Sequence, residues 1–375
     1  MKIAHIESSI NWGGQELRII EQIEWLRSHN YEAELIARAD SKIYLEAQKR
    51  NIPAHALDLR GSANPGTIRS LCKLLKHKKY DVLDCHSSRD ASYSALAKLF
   101  TGQVVVRSRH VIDPIKNDFL HRLVWRVGND FIITTAEHIK QQIINLGLST
   151  PERIYVAEAG VDSDRFRSEL RVTQKVLKQQ LGIPEEHVVI ANVGMIRRDK
   201  GQLYFVKACT EVARRMPNAT FIQVGEATDS TRGYKDEVMT EIQRTPFKDR
   251  FKFLGYHADV ENYLAISDIV VVSSVETEAR TRLVSQAYLC GANVVASNIG
   301  GLPEMVEHEQ TGLIAPAANP KGIAEQVLRL VENKDLADQL RANATQYALD
   351  KLTMEGMMCG MLNAYNNALS MKGKK

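Results

Sequence analysis

Two loops in the second half of the sequence carry residue types that bind phosphate and sugar hydroxyls. The first loop, residues 194–201 with the sequence GMIRRDKG, follows an apolar run that predicts a strand and precedes a helical pattern. Arg197, Arg198 and Lys200 supply charge-assisted hydrogen-bond donors, and backbone N–H groups at the start of a helix attract anions. The loop therefore predicts a diphosphate site, with a solvated and charged turn as the alternative.

The second loop opens the segment 273–291, SSVETEARTRLVSQAYLCG, directly after another apolar strand pattern. Glu278 follows the strand and Gln286 lies two helical turns further on, so their oxygens can accept hydrogen bonds from neighbouring hydroxyls of one ligand. The alternative is an acid that complements the dipole of the following helix. Downstream, Gly300 and Gly301 form a glycine pair before a short helical pattern.

A further glycine pair, Gly13 and Gly14, follows the first strand pattern of the chain. Glycines before a helix let the backbone approach a ligand closely, although a tight turn explains them equally well. The spacing is not G-x-G-x-x-G, which disfavours an enzyme that uses a nicotinamide cofactor. In the same half, His110 ends a strand pattern and by itself reads as a hydrogen-bonded loop histidine.

Short apolar strands alternate with helical patterns along nearly the whole chain, which is typical of parallel α/β sheets. A polar, non-periodic stretch at about 162–173 interrupts the alternation, which then restarts. We therefore expect two doubly wound, Rossmann-like α/β domains, residues 1–168 and 169–352. The expected strands are 3–7, 32–37, 82–85, 104–107, 131–134, 153–156, 187–192, 220–225, 250–254, 268–273 and 293–296.

Composition excludes several other classes of protein. The 375 residues carry a net charge of only +4, which does not call for a nucleic-acid partner. The five cysteines are widely spaced and contain no C-x-x-C pair, so neither a disulfide framework nor a zinc site is expected. No charge-free apolar stretch approaches the ~18 residues that span a bilayer. We expect a cytoplasmic protein, at most peripheral at the inner face of the membrane.

Taken in order, these motifs resemble the GT-B retaining glycosyltransferases, in particular glycosyltransferase family four, the group 1 enzymes of lipopolysaccharide and capsule type. The matching features are a strand–Gly–x5–Lys-Gly–helix loop, an E-x7-E region ending in A-x-x-C-G, a V-V-A-S-x-x-G-G-x-P-E-x-V…T-G run, and a variant of the family's N-G-V-D…F phrase. They lie at residues 194–201, 278–291, 294–312 and 159–166. The resemblance covers nearly the whole chain, and its strength lies in the ordered set. It implies that the two Rossmann-like domains face a central cleft.

The resemblance implies a role for each matching residue. The catalytic residues would be Glu278, which binds a hydroxyl of the donor sugar, His110, which lies beside that sugar, and Lys200 on the diphosphate. Gln286 would bind the ribose. The whole donor-binding set would be Gly13, Gly14, Arg197, Arg198, Lys200, Gln286, Gly300 and Gly301.

Two positions depart from the family pattern. Met195 stands where the family has an arginine, so the phosphate cation must come from the residues that follow. Gln286 stands at the second glutamate of E-x7-E, and an amide accepts a hydroxyl hydrogen bond without the charge-assisted strength of a carboxylate. This departure concerns nucleotide affinity more than the class of reaction.

The reaction that the resemblance implies is retaining transfer of a hexose-type sugar. The donor would be a nucleotide diphosphate sugar, UDP rather than GDP, and the acceptor a hydroxyl of a cell-surface glycan or a lipid-linked saccharide. The leaving phosphate would act as base, and no metal or other cofactor is expected because the basic loop supplies positive charge. A nucleotide-sugar epimerase of the same fold and a non-catalytic nucleotide-sugar-binding protein remain the alternatives.

Two helical patterns bear on the acceptor and on the domains. In 115–130, one apolar face is flanked by cations, which suits either an interfacial helix on anionic lipid or a helix packed on its sheet. The face comprises Phe119, Leu120, Leu123, Val124 and Val127, with Lys116, Arg122, Trp125 and Arg126 beside it. The last helix, 353–370, is apolar enough to need a partner, and the resemblance implies that it returns to the N-terminal domain.

Overall fold

The computed structural model describes residues 1–61, 63–110, 115, 118–158, 160–170, 175–276, 278 and 280–372. The chain divides into two compact units. The first comprises Met1–Ala157 together with Met357–Lys375, and the second comprises Glu158–Gly356.

The first unit is built on a parallel sheet of seven strands in the order β3-β2-β1-β4-β5-β6-β7. The order reverses between β1 and β4, and ligands of open α/β sheets bind beyond the carboxyl ends of the strands at such a point. The strands are β1 Lys2–Glu7, β2 Glu32–Ala37, β3 Ala54–Ala56, β4 Val82–Cys85, β5 Val104–Arg109, β6 Phe131–Thr134 and β7 Ile154–Val156. The helices between them are α1 Gly14–Ser28, α2 Lys42–Lys49, α3 Pro65–Lys78, α4 Ser88–Thr101, α5 Phe119–Val127 and α6 Glu137–Asn145.

Capping residues explain where several of these helices begin. Asn64 accepts hydrogen bonds from the first turn of α3, and proline at the first helical position removes an N–H that would have no partner. Ser87 and Asp90 form a reciprocal capping box at the start of α4. Both helices therefore start at a defined residue close after a strand or turn.

The second unit repeats the architecture with six parallel strands in the order β10-β9-β8-β11-β12-β13. The order reverses between β8 and β11. The strands are β8 Val188–Val193, β9 Ala219–Val224, β10 Phe251–Gly255, β11 Ile269–Val272, β12 Asn293–Ser297 and β13 Leu313–Ala315. The helices are α7 Lys175–Gln180, α8 Gln202–Arg215, α9 Arg232–Arg244, α10 Val260–Ile266, α11 Arg282–Leu289, α12 Leu302–Met305, α13 Pro320–Glu332, α14 Lys334–Lys351 and α15 Met354–Lys372.

The segment from Glu158 to residue 168 packs with the second unit, although the sequence analysis assigns it to the first domain. Backbone hydrogen bonds hold it there: the N–H of Val161 donates to the carbonyl of Leu352 over 2.9 Å. Arg165 adds an ion pair of 2.7 Å with Glu261 on α10. The polar composition of this stretch predicts an irregular segment. It does not predict which of the two units the segment packs with.

Helix α15 belongs to the first unit from Met357 onward. Its apolar face is buried there, with Met361 and Tyr365 almost without exposed surface. Gln22 of α1 contacts Met361, and the Tyr365 hydroxyl donates to the Asp84 carboxylate at 2.7 Å. Among the described residues, no helix has the length and apolar character to cross a bilayer.

Candidate functional site

In the second unit, the basic loop after β8 is bonded to the loop after β11. Gly201 has a left-handed backbone with φ of 69°, and a Cβ there would lie 2.0 Å from the carbonyl oxygen of Ser273. The Ser273 hydroxyl donates to the Lys200 carbonyl at 3.0 Å, and the N–H of Val275 donates to the carbonyl of Asp199 at 2.8 Å. Only glycine permits this approach, so Gly201 fixes Lys200 against the end of β11.

Lys200 and Glu278, 78 residues apart in the sequence, form an ion pair. Nζ of Lys200 is 2.5 Å from Oε2 of Glu278, and the Ser274 hydroxyl donates to the same oxygen at 2.9 Å. Glu278 is 8% exposed and the Lys200 side chain 27%, so the pair is sheltered from water but accessible on the lysine side. Two of the predicted catalytic residues thus lie together.

The third loop of the second unit, after β12, holds the backbone of Glu278. The N–H of Gly301 donates to the carbonyl of Glu278 at 2.7 Å. Gly300 has φ of 57°, and a Cβ on it would lie 2.1 Å from that same carbonyl oxygen. The glycine pair that the sequence analysis assigned to the donor therefore makes a close backbone contact with the loop that carries the acid.

The two arginines of the basic loop are paired with acids. Arg197 donates to both carboxylate oxygens of Asp199, at 2.9 and 2.5 Å, and this bonding raises the pKa of Arg197. Arg198 forms an ion pair with Glu237 of α9, and its guanidinium lies 5.2 Å from the ring centroid of Tyr234. Among the three cations of this loop, Lys200 is the one that bonds to Glu278.

Gln286 lies in the second turn of α11, half-buried. Its side chain makes no hydrogen bond to any residue that the structure describes. The cap of this helix is Thr281, whose hydroxyl accepts from the N–H of Leu283 at 3.3 Å. The amide of Gln286 is thus not committed to a structural hydrogen bond within the described part of the chain.

Sequence reasoning missed several residues that support this site. Ser274 bonds to Glu278 directly. Asn192 at the end of β8 donates to the Ser273 hydroxyl at 3.1 Å and to the Val271 carbonyl at 2.8 Å. The side chain of Arg280 is almost completely buried and pairs with Glu158. The position of Asn192 and Ser274 at the ends of β8 and β11, where the strand order reverses, is the signal that could have identified these two residues.

In the first unit, Gly13 and Gly14 lie exposed at the start of α1. A Cβ on Gly14 would meet nothing within 4 Å, so a ligand has room to approach the backbone there. The N–H of Gly13 already donates to Oε2 of Glu16 at 2.8 Å. An anion at this helix terminus would therefore depend on the N–H groups that follow Gly13.

His110 directly follows β5 and ends a row of three histidines. Its Nε2 is 3.0 Å from Nδ1 of His86, and Nε2 of His86 is 3.0 Å from Nδ1 of His5. Burial lowers the pKa of His5 to about 3 and the pKa values of His86 and His110 well below their ordinary value. The three imidazoles are consequently neutral near pH 7, and the interpretation of His110 as a simple loop histidine is incomplete.

The carboxyl of Asp84 adjoins this row. Its Oδ2 accepts hydrogen bonds from the hydroxyls of Tyr365 and Ser108, and burial raises the pKa of Asp84 to about 7. Within the described residues, His5, Asp84 and His86 offer atoms within 4.8 Å of one another that could bind a metal ion. The 3.0 Å between the histidine nitrogens is, however, the spacing of a hydrogen bond.

A second buried carboxyl, Glu7, ends β1. Its two oxygens accept from the N–H of Ser9 at 2.7 Å and from the amide of Gln15 at 2.5 Å. Burial, with a further contribution from the charge of Asp90, raises the pKa of Glu7 to about 8. Burial also raises the pKa of Asp90 to about 6. Hydrogen bonds hold both carboxyls in place. Among the described residues, neither carboxyl forms an ion pair with a lysine or an arginine.

The apolar face of α5 points to solvent. Phe119, Leu120, Leu123 and Val127 are 50–77% exposed, and the buried residue of this helix is Trp125, which lies under the guanidinium of Arg107. Of the two alternatives for this face, packing on the sheet is therefore wrong. A groove of about 680 Å³ runs between α4 and α5, lined mainly by apolar side chains. Lys116, predicted to flank the face, lies outside the described residues.

Comparison with known proteins matches both units. A family model described as "Glycosyl transferases group 1" matches residues 173–347, and one described as "Glycosyltransferase Family 4" matches residues 12–165. A galactosyltransferase of Escherichia coli, named UDP-Gal:alpha-D-GlcNAc-diphosphoundecaprenol alpha-1,3-galactosyltransferase, is 24% identical over 90% of this chain and 89% of its own. A D-inositol 3-phosphate glycosyltransferase of Nocardioides is 24% identical over 90% of this chain and 81% of its own.

Solved structures agree in fold. The crystal structure of Anabaena HepE in complex with UDP has a TM-score of 0.85 at 22% identity, covering 98% of this chain and 100% of that one. A glycosyltransferase from Rickettsia africae has a TM-score of 0.89 at 20% identity, covering 98% of both chains. These likenesses confirm the predicted α/β architecture of GT-B type with two Rossmann-like units.

Proposed function

The chain belongs to the group 1, family 4 glycosyltransferases, which use nucleotide sugars, and on that premise we propose that it transfers a hexose-type sugar from a UDP-sugar with retention of configuration. The acceptor is a hydroxyl of a lipid-linked saccharide or another precursor of a cell-surface glycan. The observation that carries the proposal is the ion pair between Lys200 and Glu278, which three loops hold at the carboxyl ends of the second sheet.

Each side chain has a defined task in this reaction. Lys200 stabilises the negative charge that develops on the leaving diphosphate, together with Arg197 or Arg198. Glu278 accepts a hydrogen bond from a hydroxyl of the donor sugar, and His110 is assigned to the donor sugar as well. An oxygen of the departing phosphate takes the proton of the acceptor hydroxyl as it attacks from the same face. The proposal requires no metal ion, since the charge on the diphosphate is met by side chains.

Gln286 is assigned to the ribose of the donor. Its half-buried amide is free of hydrogen bonds to the described residues, so its oxygen can accept from a ribose hydroxyl. The two glycine pairs, Gly13-Gly14 and Gly300-Gly301, are assigned to the donor as well. In the second pair, the close contact of Gly300 with Glu278 supports a role in placing the acid.

A thermal-shift panel of UDP, GDP, ADP and CMP tests the nucleotide. A ligand present at about 100 times its Kd adds about 2.7 kcal/mol to the free energy of unfolding, so the preferred base should stand out. We expect UDP to give the largest shift. A panel in which GDP or ADP raises the melting temperature most would contradict the assignment of uracil.

Assays with and without an acceptor distinguish a transferase from an epimerase of the same fold. We expect release of UDP from a UDP-sugar to require a saccharide acceptor, and NMR of the product to show the anomeric configuration of the donor. Conversion of the nucleotide sugar without any acceptor would support the epimerase. Binding without turnover of any UDP-sugar would support a non-catalytic role.

The exposed face of α5 supports a lipid-linked acceptor and peripheral contact with a membrane. Single exposed apolar residues are common, but a contiguous set beside a groove marks an interaction surface. Arg89 lines the groove and Arg122 and Arg126 lie on α5, so cations adjoin the apolar face. Anionic headgroups attract such cations while the apolar side chains enter the boundary of the bilayer.

Flotation with anionic vesicles tests this contact. Leu120→Asp and Leu123→Asp should reduce the fraction bound to vesicles of phosphatidylglycerol, whereas the matched control Leu349→Asp, at an exposed leucine of α14, should not. Equal loss of binding in all three variants, or no binding by the parent protein, would contradict the membrane assignment. Dimerisation that depends on the same leucines would assign the face to a second copy of the chain.

A further inference from the structure

The groove between α4 and α5 is concave, and small residues form its floor. A Cβ on Gly128 would lie 2.6 Å from the Cβ of Ala95, so the two helices are in close contact there. Large apolar side chains line the groove on both sides and are 50–71% exposed: Leu99 of α4, and Leu120, Leu123 and Val127 of α5. The volume of about 680 Å³ lies within the range of small-molecule sites, about 300–1,000 Å³. A bilayer surface would contact the exposed side chains and leave the groove unfilled, whereas an extended apolar chain fills it.

The lining of this groove changes from polar to apolar along its length. Helix α4 connects β4 to β5 and α5 connects β5 to β6, and these strands are parallel, so both helices start near the carboxyl ends of the strands and run back toward the amino ends. The second half of each helix contributes only apolar side chains to the described lining. The polar lining residues all come from the first halves: Ser88, Arg89, Ser92 and His121. The polar end therefore lies toward the edge of the sheet where parallel α/β sheets bind ligands.

Arg89 supplies an unpaired positive charge at the polar end. It is exposed, and its side chain forms no ion pair or hydrogen bond with the residues that the structure describes. His121, the other ionisable residue of the described lining, is bonded to Asp118, with Nδ1 and Oδ2 2.5 Å apart. In the second half of α4, Lys98 is paired with Asp130 at 2.6 Å. A guanidinium free of acids presents several N–H donors in the geometry that matches a phosphate.

The lengthwise change in the lining distinguishes between possible occupants of the groove. A wholly apolar molecule would gain nothing from Arg89. An amphipathic helix of a partner protein carries its polar stripe along its whole length, whereas the lining of this groove is polar at one end only. A lipid phosphate has its charge at one end and its apolar carbons beyond it, in the same order as the lining. Charge complementarity with Arg89 therefore favours this class of ligand.

We propose that the groove binds one lipid phosphate lengthwise, with the phosphate at Arg89 and the apolar chain running along α4 and α5 toward Leu99 and Val127. The identification of this lipid as the carrier of the acceptor saccharide rests on the proposed function. The saccharide then projects beyond the carboxyl ends of the first sheet. This binding differs from contact of α5 with a bilayer surface, because the groove holds a single molecule in one orientation and does so without a bilayer.

Calorimetry of the full-length protein with farnesyl phosphate and with farnesol, which lacks the phosphate, tests both ends of the groove without vesicles or a sugar donor. We expect the parent to bind farnesyl phosphate at least tenfold more tightly than farnesol. Arg89→Ala should reduce this preference at least fivefold and leave the binding of farnesol unchanged, whereas Leu99→Asp should weaken the binding of both. Two matched controls should bind both compounds as the parent does: Arg69→Ala, at an exposed arginine of α3, and Leu45→Asp, at an exposed leucine of α2.

Photo-crosslinking determines the orientation of the chain. A farnesyl phosphate analogue with a diazirine at the far end of its chain should label the second halves of α4 and α5, as read by mass spectrometry of the labelled peptides. Labelling of the first halves, or an unchanged preference for farnesyl phosphate in Arg89→Ala, would overturn the inference. Binding seen only with vesicles, or dimerisation that excludes farnesyl phosphate, would overturn it as well and assign the groove to a bilayer or to a second copy of the chain.

These probes separate the inference from the proposed function, because they require no UDP-sugar. A protein that binds farnesyl phosphate as expected but transfers no sugar would contradict the proposed function alone. A protein that transfers sugar to a lipid-linked saccharide, and does so equally well in Arg89→Ala and Leu99→Asp, would contradict the inference alone.

Discussion

In the second unit, Lys200 and Glu278 hold each other as an ion pair, whereas in the first unit His5, His86 and His110 hold one another through hydrogen bonds between neutral rings. The ion pair comes from loops that follow two neighbouring strands, and a third loop fixes its backbone. The histidine row instead runs through the sheet interior, where burial suppresses charge. One unit is organised by opposite charges and the other by desolvation.

Under the proposed function, this difference amounts to a division of labour between the units. A charged pair suits a ligand that is itself charged and whose charge grows during reaction, such as a diphosphate. A neutral row of fixed donors and acceptors suits the recognition of hydroxyl groups, which carry no charge. Variants of the ion pair in the second unit should therefore lower kcat, whereas a variant of a buried carboxyl in the first unit should change how the free energy of unfolding depends on pH.

The largest effect is expected from Lys200→Ala and Glu278→Ala. Each should lower kcat by roughly 10²–10³-fold, or about 2.7–4 kcal/mol, because each removes a group that acts as charge develops. Since the two residues bond to each other, the loss in the double variant should be smaller than the sum of the single losses. Lys207→Ala, at an exposed lysine of α8, is the matched control and should keep the parent kcat. A near-normal kcat in either single variant would exclude the assigned roles.

Glu7→Gln probes desolvation in the first unit. Because burial raises the pKa of Glu7 to about 8, the folded state favours the protonated carboxyl. Its contribution to stability is complete below the unfolded pKa and is lost as pH rises through 8. The free energy of unfolding of the parent should therefore fall more steeply between pH 5 and pH 8 than that of Glu7→Gln, by about 1.4 kcal/mol for each unit of pKa shift.

Tryptophan fluorescence during urea unfolding measures this effect selectively. The three tryptophans, Trp12, Trp25 and Trp125, all belong to the first unit. Glu325→Gln, at an exposed glutamate of α13, is the control and should follow the parent at every pH. Parallel pH profiles for the parent and Glu7→Gln would show that Glu7 is ionised in the folded protein across this range.

Gly300→Ala tests the backbone contact that supports Glu278. The added Cβ would lie 2.1 Å from the Glu278 carbonyl and the φ of 57° disfavours alanine, so the second unit should lose more than about 1 kcal/mol of stability and kcat should fall with it. Gly233→Ala, on a helix with open space around the added Cβ, should be neutral or stabilising. Amide hydrogen exchange in the second unit measures the stability of Gly300→Ala and Gly233→Ala. Equal protection in both variants would argue against the contact between Gly300 and the Glu278 carbonyl.

The smallest effect is expected from Gln286→Glu. If Gln286 accepts from the ribose, a carboxylate should bind UDP as tightly or more tightly, because it accepts hydroxyl hydrogen bonds more strongly than an amide. Calorimetric Kd values for both proteins measure this. A tenfold weakening, about 1.4 kcal/mol, would reject the ribose role. Unchanged Kd and kcat in both Gln286→Glu and Gln286→Ala would show that the residue does not face the ligand.

The sequence predicts most of the fold because strands and helices of ordinary length carry clear periodicity. It misses β3 and β13, which span only three residues each, a length at which alternation is a weak signal, although it predicts β7, which is equally short. It also identifies the basic loop and Glu278, because each belongs to a contiguous motif. The bond between Lys200 and Glu278 depends on the pairing of β8 with β11, which single-sequence periodicity does not provide.

The histidine row could not be predicted, because each member is an isolated residue on a different element. Only the parallel register of β1 with β4, which places His5 opposite Asp84, and of β4 with β5 brings the three together. The apolar face of α5 shows a different limit of prediction from the sequence. The helical period of this face is visible in the sequence, but tertiary packing decides whether the face meets a sheet or solvent. In this helix Trp125 is buried, and the apolar face is exposed.

Calorimetry with UDP and uridine, on the parent protein and on Lys200→Ala, tests the central claim most directly. We predict that the parent binds UDP at least tenfold more tightly than uridine, a difference of about 1.4 kcal/mol or more, because Lys200 contacts the diphosphate. In Lys200→Ala this preference for UDP should be clearly smaller, with Arg197 or Arg198 accounting for what remains. Equal affinities of the parent for UDP and uridine, or the same preference in both proteins, would contradict a diphosphate site at the Lys200–Glu278 pair.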